Sequence, residues 1–184
     1  GVGVHIHVAE GPDDIHAGER LQHLAKDNWL LIHGVHLQHQ LAGRLVHNPR
    51  SNMNNSVGYA TPATKPNTIL LGTDGIGANM MEEARLAYVR LRESDISQSP
   101  ETVARWMNNA YEIFPEGLND CVHWSYDHMD SPWHTAFTTN MTVEAVEIDG
   151  ERVYENGKLT RIDISEIRAK ALEQSQRLFE RLAS

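Results

Sequence analysis

The stretch Leu31-Ile32-His33-Gly34-Val35-His36-Leu37 is a short apolar run that breaks at a histidine and a glycine. Upstream, His5-Ile6-His7-Val8-Ala9-Glu10 has the same form, and downstream Leu71-Gly72-Thr73-Asp74-Gly75 repeats it with an aspartate. A parallel strand buried on both faces reads as a short continuous apolar run. In parallel α/β folds the functional groups stand at the C-terminal ends of the strands. Three such ends in chain order, carrying His, His and Asp, point to a metal-assisted hydrolytic site. Imidazole and carboxylate are the donors that hold a water-activating divalent ion.

Composition narrows the partners. Of the 184 residues, 40% are hydrophobic and 22% charged, a globular balance. A formal net charge of −9 and an isoelectric point near 5.6 argue against nucleic acid or an anionic membrane as the main partner. The single cysteine, Cys121, allows no intramolecular disulfide, which fits a reducing cytoplasm. No apolar run approaches the ~18 residues of a membrane-spanning helix, and no signal-peptide pattern is present. The opening Gly1-Val2-Gly3-Val4 reads as the middle of a strand, the expectation for a fragment of a longer protein. Eight of the 11 histidines precede position 48, and His16, His23 and His39 are expected at the surface.

Strand signals cover Val2–Val8, Trp29–Val35, Arg44–His47 and Thr68–Gly72. Gly11–Asn28 between the first two reads as a crossover helix, with Asp13 or Asp14 as N-cap. The next connectors are too short for a crossover with its own helix, and Asn48–Asn67 is Asn/Ser/Pro/Thr-rich and reads as loop. Asn79–Glu93 carries a helical stripe of Met80, Ala84, Ala87, Tyr88 and Leu91, and Pro100–Phe114 reads as a helix capped by Ser99. Pro115–Pro132 reads as irregular and leads into a patch of His123, Trp124, Tyr126, His128, Trp133 and His134. Met141–Leu159 reads as a strand meander turning at Asp149-Gly150 and Asn156-Gly157. Asp163–Ala183 reads as a final helix with an Asp163/Glu166 capping box and a buried stripe of Ile164, Ile167, Ala171, Leu178 and Leu182. The expected division is residues 1–120 as half of a barrel and 121–184 as a β-hairpin segment with the terminal helix.

Each candidate residue has a chemical and a structural reading. His7 at a strand end is a metal donor or one of two same-face histidines, and Glu10 beyond it suits a proton shuttle. His33 is a ligand, a group that polarises substrate, or a satisfied core histidine, and His36 follows it. Asp74, between Gly72 and Gly75, is a metal ligand that takes a proton from water, or an Asx turn. The row His47-Asn48-Pro49-Arg50-Ser51-Asn52-Met53-Asn54-Asn55 is a substrate-pocket loop or a solvated turn.

Taken together, His7-Val8-Ala9-Glu10, His33-Gly34-Val35-His36-Leu37, His47-Asn48-Pro49-Arg50-Ser51-Asn52 and Gly72-Thr73-Asp74-Gly75 resemble, in order, barrel strands five to eight of the amidohydrolase superfamily. The match is to its cytosine deaminase and chlorohydrolase-like branch. The runs His47–Gly58 and Leu71–Glu83 are most similar to the aminohydrolases linked to selenium metabolism, the SsnA type. The resemblance implies an α/β fold, a partial (β/α)8 TIM-type barrel with a C-terminal β segment and terminal helix. It implies His7 and Asp74 as metal ligands for one zinc or iron, and Glu10, His33 and Asp74 as catalytic groups. Asn52 and Arg50 would line the substrate pocket. The implied reaction is hydrolytic deamination of a nitrogen heterocycle or amidine-like small molecule by metal-activated water, in the cytoplasm.

The chain also departs from that family. The His-x-His of barrel strand one is missing, since His5-Ile6-His7 already serves as strand five, and strands one to four are absent. The expectation is therefore an incomplete enzyme that needs a missing N-terminal half or a homo-oligomer. The competing expectation is a catalytically inactive module that binds or self-associates.

Overall fold

The computed structural model describes residues 3–126 and 130–183, so His128 lies outside the described residues. The chain forms two compact units, Gly1–Pro115 with His128–Thr139, and Glu116–Asp127 with Asn140–Ser184.

The first unit is built on four strands, β1 (His5–Val8), β2 (Leu30–His33), β3 (Arg44–His47) and β4 (Ile69–Leu71). They lie side by side in chain order and every pair is parallel. The register places His7 beside Ile32, Ile32 beside Val46, and Val46 beside Leu70, so the four C-terminal ends come out at one level. Between β1 and β2 the chain makes a 3-10 turn (Pro12–Asp14) and one short helix, α1 (Ala17–Leu21), rather than a long crossover helix. Between β2 and β3 it makes no helix, and Leu37 and Leu41 from that loop are buried in its place. Asp14 caps neither helix. Its carboxylate accepts from the Ala9 amide at 2.8 Å and from Arg20 at 2.6 Å, pinning the turn after β1.

Asn48–Asn67 departs from its loop-like composition. Pro49–Asn54 forms a helix, α2, because Pro49 at its first position supplies a fixed φ where no amide donor is needed. Helix α3 (Met80–Ser94) starts one residue past Asn79, whose side chain accepts from the Met81 and Glu82 amides at 3.1 Å each. The predicted helix from Pro100 ends sooner than expected. Helix α4 stops at Asn108 and passes into a 3-10 turn, Asn109–Glu112. A further helix, α5 (Pro132–Phe137), was not expected from the sequence.

The core of this unit forms between sheet and helices. Val8, Leu31, Leu45, Ile69 and Leu71 pack with Leu41, Ala84, Ala87, Leu91, Val103 and Trp106. Each large apolar side chain so buried contributes about 1.5–3 kcal/mol, which holds the strand ends rigid beneath the site.

The second unit is an antiparallel meander of β5 (Cys121–Trp124), β6 (Val143–Ile148), β7 (Glu151–Glu155) and β8 (Lys158–Leu159). Strand β5 falls in the stretch expected to be irregular. Asp149 and Gly150 both take positive φ, as a two-residue hairpin turn requires. Helix α6 (Ile164–Leu182) is capped by the Asp163 side chain accepting from the Ser165 amide at 2.8 Å, a simple cap rather than the expected box with Glu166. Its apolar stripe is not buried as expected. No described residue of α6 is buried, and Ile164, Ile167, Leu178 and Leu182 are all exposed. Period alone shows which face is apolar and not whether anything covers it.

Candidate metal centre at the strand ends

Three strand ends turn sharply, and each carries a candidate side chain. Ala9, His33 and Asp74 all take left-handed backbone, with φ of +47°, +70° and +53°. Outside glycine such a conformation costs about 1–2 kcal/mol per residue. The turns reverse the chain above the sheet and bring side chains from β1, β2 and the segment after β4 to one place. Potential ligand atoms of His7, His33 and Asp74 all lie within 4.8 Å of one another. The His7 and His33 rings stack with centroids 5.4 Å apart. His33 Nε2 is 3.5 Å from Glu10 Oε2 and 3.7 Å from Asp74 Oδ2. His33 is buried, while Glu10 and Asp74 stay about one-third open to solvent.

Helix α2 and the residues flanking it organise the cluster. Ser51 donates to Asp74 Oδ2 at 2.6 Å. Asn52 Oδ1 lies 2.9 Å from His33 Nδ1. Asn55 donates to Glu10 Oε1 at 3.2 Å and reaches Ser51 Oγ at 3.4 Å. Thus Ser51, Asn52 and Asn55 each meet a strand-end candidate. The helix is itself anchored: Arg50 donates from Nε to Glu83 Oε1 at 2.7 Å and from its backbone amide to Glu83 Oε2 at 3.3 Å. Glu83 is fully buried. Arg50, expected in a substrate pocket, therefore spends its Nε on α3, and Asn52 meets His33. Asn48 packs against the chain after β4. A methyl group at Gly72 would sit 2.4 Å from Asn48 Oδ1, so a larger residue there would force Asn48 to move.

The electrostatics favour an ionised Asp74. Its hydrogen bond from Ser51 pulls the carboxyl below its usual range, aided by the Gly75 amide and by His33 and His7. Both oxygens are thus engaged as a carboxylate, the state a metal donor needs. The other two histidines of the motif region do different things. His36 Nε2 lies 2.8 Å from the Val57 carbonyl, a structural contact. His47 is buried against the rings of Tyr59 and Trp106, with no hydrogen-bond partner for either ring nitrogen among the described residues. Burial pushes its pKa down to about 3.

Two imidazoles and one carboxylate within reach of a common point suit a zinc ion, which takes nitrogen and oxygen donors and keeps an open position in catalytic sites. In the sequence, Ser51 and Asn55 appear only as members of the Asn/Ser-rich row after His47, Asp14 only as a possible helix cap, and Glu83 not as a site residue.

The comparisons bear on this arrangement. No protein-family model matches the chain. A 5'-deoxyadenosine deaminase of Methanococcus aeolicus is 27% identical over 228 residues, covering 98% of this chain and 52% of that protein. The chain resembles the C-terminal half of amidohydrolase-superfamily proteins. Among solved structures, a zinc-bound adenosine deaminase from Xanthomonas campestris superposes with a TM-score of 0.72 at 17% identity, over 97% of this chain and 51% of that one. An amidohydrolase from Brucella melitensis gives a TM-score of 0.72 at 17% identity, over 100% and 50%. A zinc-complexed atrazine chlorohydrolase from Arthrobacter aurescens gives 0.67 at 16%, over 94% and 48%. These likenesses establish the shared α/β fold, and the chain spans about half the length of the proteins it matches. The deaminase alignment is longer than the 184-residue chain, so that relative carries segments this chain lacks. No described helix is long and apolar enough to cross a membrane.

Proposed function

We propose that the chain carries half of the active site of a zinc-dependent amidohydrolase that deaminates a nitrogen heterocycle or amidine-like small molecule. Its four parallel strands then correspond to barrel strands five to eight. The observation that carries this reading is the convergence of His7, His33 and Asp74 donor atoms within 4.8 Å at the strand ends. His7 and Asp74 are the primary ligands. When bound, the metal supplies Lewis acidity that makes water a nucleophile at neutral pH. Glu10 is the better-placed proton carrier. It is partly solvated and held by one neutral amide, so it can accept a proton from water and pass it to the leaving nitrogen. Asp74, ionised and doubly hydrogen-bonded, suits the ligand role more than that of a base. The named deaminases and the chlorohydrolase among the similar proteins support the reaction class, and two of them hold zinc.

Elemental analysis after dialysis tests the reading. The expected result is about one zinc per chain in the unaltered protein, lost in both His7→Ala and Asp74→Asn. Glu10→Gln is expected to keep zinc and lose ammonia release from heterocyclic amines. Zinc retained in both ligand variants removes the assignment, and zinc lost in Glu10→Gln makes Glu10 a ligand.

A second reading, self-association without catalysis, is favoured by one observation: α6 exposes Leu172, Leu178, Phe179 and Leu182.

A further inference from the structure

We propose that a cleft at the start of β4 binds a small organic anion, a carboxylate or phosphate on a compact apolar body, through Arg105 and Lys65. The cleft lies between residues 62–69 on one side and α4 with the turn after it on the other, at the end of the sheet opposite the donor cluster. Its volume is about 570 Å³, within the roughly 300–1,000 Å³ of small-molecule sites. The helical side is one stripe. Gln98, Thr102, Arg105, Asn109 and Glu112 follow one another at steps of four and three residues, the spacing of a single helical face.

The neutral polar groups of the cleft are already engaged. Asn67 Nδ2 donates to the Leu41 and Gly43 carbonyls at 3.0 and 2.8 Å. Gln98 donates to Asp95 at 2.9 Å and accepts from Thr102 at 3.1 Å. Asn109 donates to the Ile69 carbonyl at 2.8 Å. The cations are not engaged in this way. The Arg105 side chain makes no hydrogen bond or ion pair among the described residues. Lys65 meets the Leu37 carbonyl at 3.0 Å and no carboxylate among the described residues, and an ammonium has further donors to give. In a chain of net charge −9 carboxylates are abundant, yet Glu112 is the single one lining this cleft. Two cations against one carboxylate leave the cleft positive. Its floor is apolar, made by the buried Pro62, Ile69 and Trp106. Such a floor takes the body of an organic ion better than a bare hydrated one, while the planar guanidinium fork matches the oxygens of a carboxylate or phosphate.

Calorimetric titration at low salt with benzoate, phenyl phosphate and the uncharged benzyl alcohol tests the proposal. NMR of the Trp106 indole N–H, assigned with Trp106→Phe, locates the binding. At least one of the two anions is expected to bind and to shift that resonance, and benzyl alcohol is not. The tighter of the two anions tells whether a carboxylate or a phosphate is the preferred head group. Arg105→Gln should weaken the binding by about 10–100-fold, the loss of a charge-assisted hydrogen bond. Glu112→Gln, which removes the opposing charge, should tighten it by about 2–5-fold. Both residues are exposed, so neither variant threatens the fold. The proposal is overturned by failure of both anions to bind, by equal binding of benzyl alcohol, or by an unmoved Trp106 resonance. Unchanged affinity in Arg105→Gln or weaker binding in Glu112→Gln overturns it as well. None of these outcomes depends on whether the strand ends hold zinc.

Discussion

Histidine serves this chain in opposite ways at two positions one strand apart. His33 has Asn52 Oδ1 2.9 Å from one ring nitrogen and carboxylate oxygens of Glu10 and Asp74 at 3.5 and 3.7 Å from the other. His47 has neither, and burial depresses its pKa from 6.5 to about 3. The folded state therefore resists protonating His47 while the unfolded chain does not. Between pH 6.5 and 3 the unfolded state binds more protons, so stability is full above pH 6.5 and declines as pH falls through that window. At pH 5 the loss is about 2 kcal/mol. Denaturant melts at pH 7 and pH 5 should show it in the unaltered protein and not in His47→Phe. Asp74 titrates lower, from the acid end of that window downward. Its pKa is depressed, so its contribution holds above the ordinary carboxylate range and is lost only below it. The identities of these residues were plain in the sequence, since His7, Glu10, His33 and Asp74 all stand at apolar run ends. What each side chain touches was not, because a partner such as Ser51 or Asn52 is adjacent only after β3 and β4 pair.

At the scale of elements, α2 is the part the sequence concealed. Asn, Ser and Pro favour turns and caps, and six residues are too few to show a helical period. The signal present was Pro49, suited to a first helical turn. By contrast Arg44–His47 was legible to the residue, since an apolar run between turn-formers has little else to become. The anchor of α2 gives a sharp expectation. Removing one partner of a buried ion pair leaves an uncompensated charge and costs about 3–5 kcal/mol. Glu83→Ala should lose about 3 kcal/mol in denaturant unfolding, at the low end because Arg50 is itself about one-third exposed. Glu83→Gln, which keeps an acceptor for Nε, should lose less. A cost in Glu83→Ala below about 1 kcal/mol, the range of a surface pair, would mean that α2 is held by other contacts.

At the scale of the whole molecule, the four parallel strands end at a free edge on β1. The Val4 and Val8 carbonyls accept from β2, so in the alternating pleat the amides of His5 and His7 face outward. On the other side Asn109 donates to the Ile69 carbonyl at 2.8 Å and blunts the β4 edge. Helix α6 adds an uncovered apolar stripe. If a second copy covers that stripe, sedimentation should give a mass above the 20.7 kDa of one chain. The double change Leu178→Glu and Leu182→Lys should return it to that of one chain, whereas a single-chain mass throughout would dismiss self-association by this face. The amphipathic pattern of α6 was legible in the sequence, and its lack of a covering surface was not, because periodicity describes one element at a time. The left-handed turn at Asp74 has a consequence for how this molecule could change. Glycine at position 74 would relieve backbone strain while losing the Ser51 and Gly75 hydrogen bonds to the carboxylate, and where the strain outweighs those bonds thermal selection would reward it. It would also delete the carboxylate. A population screened for heat resistance alone would drift towards a sturdier scaffold with an empty corner, and persistence of aspartate under such a screen would be evidence that the corner is in use.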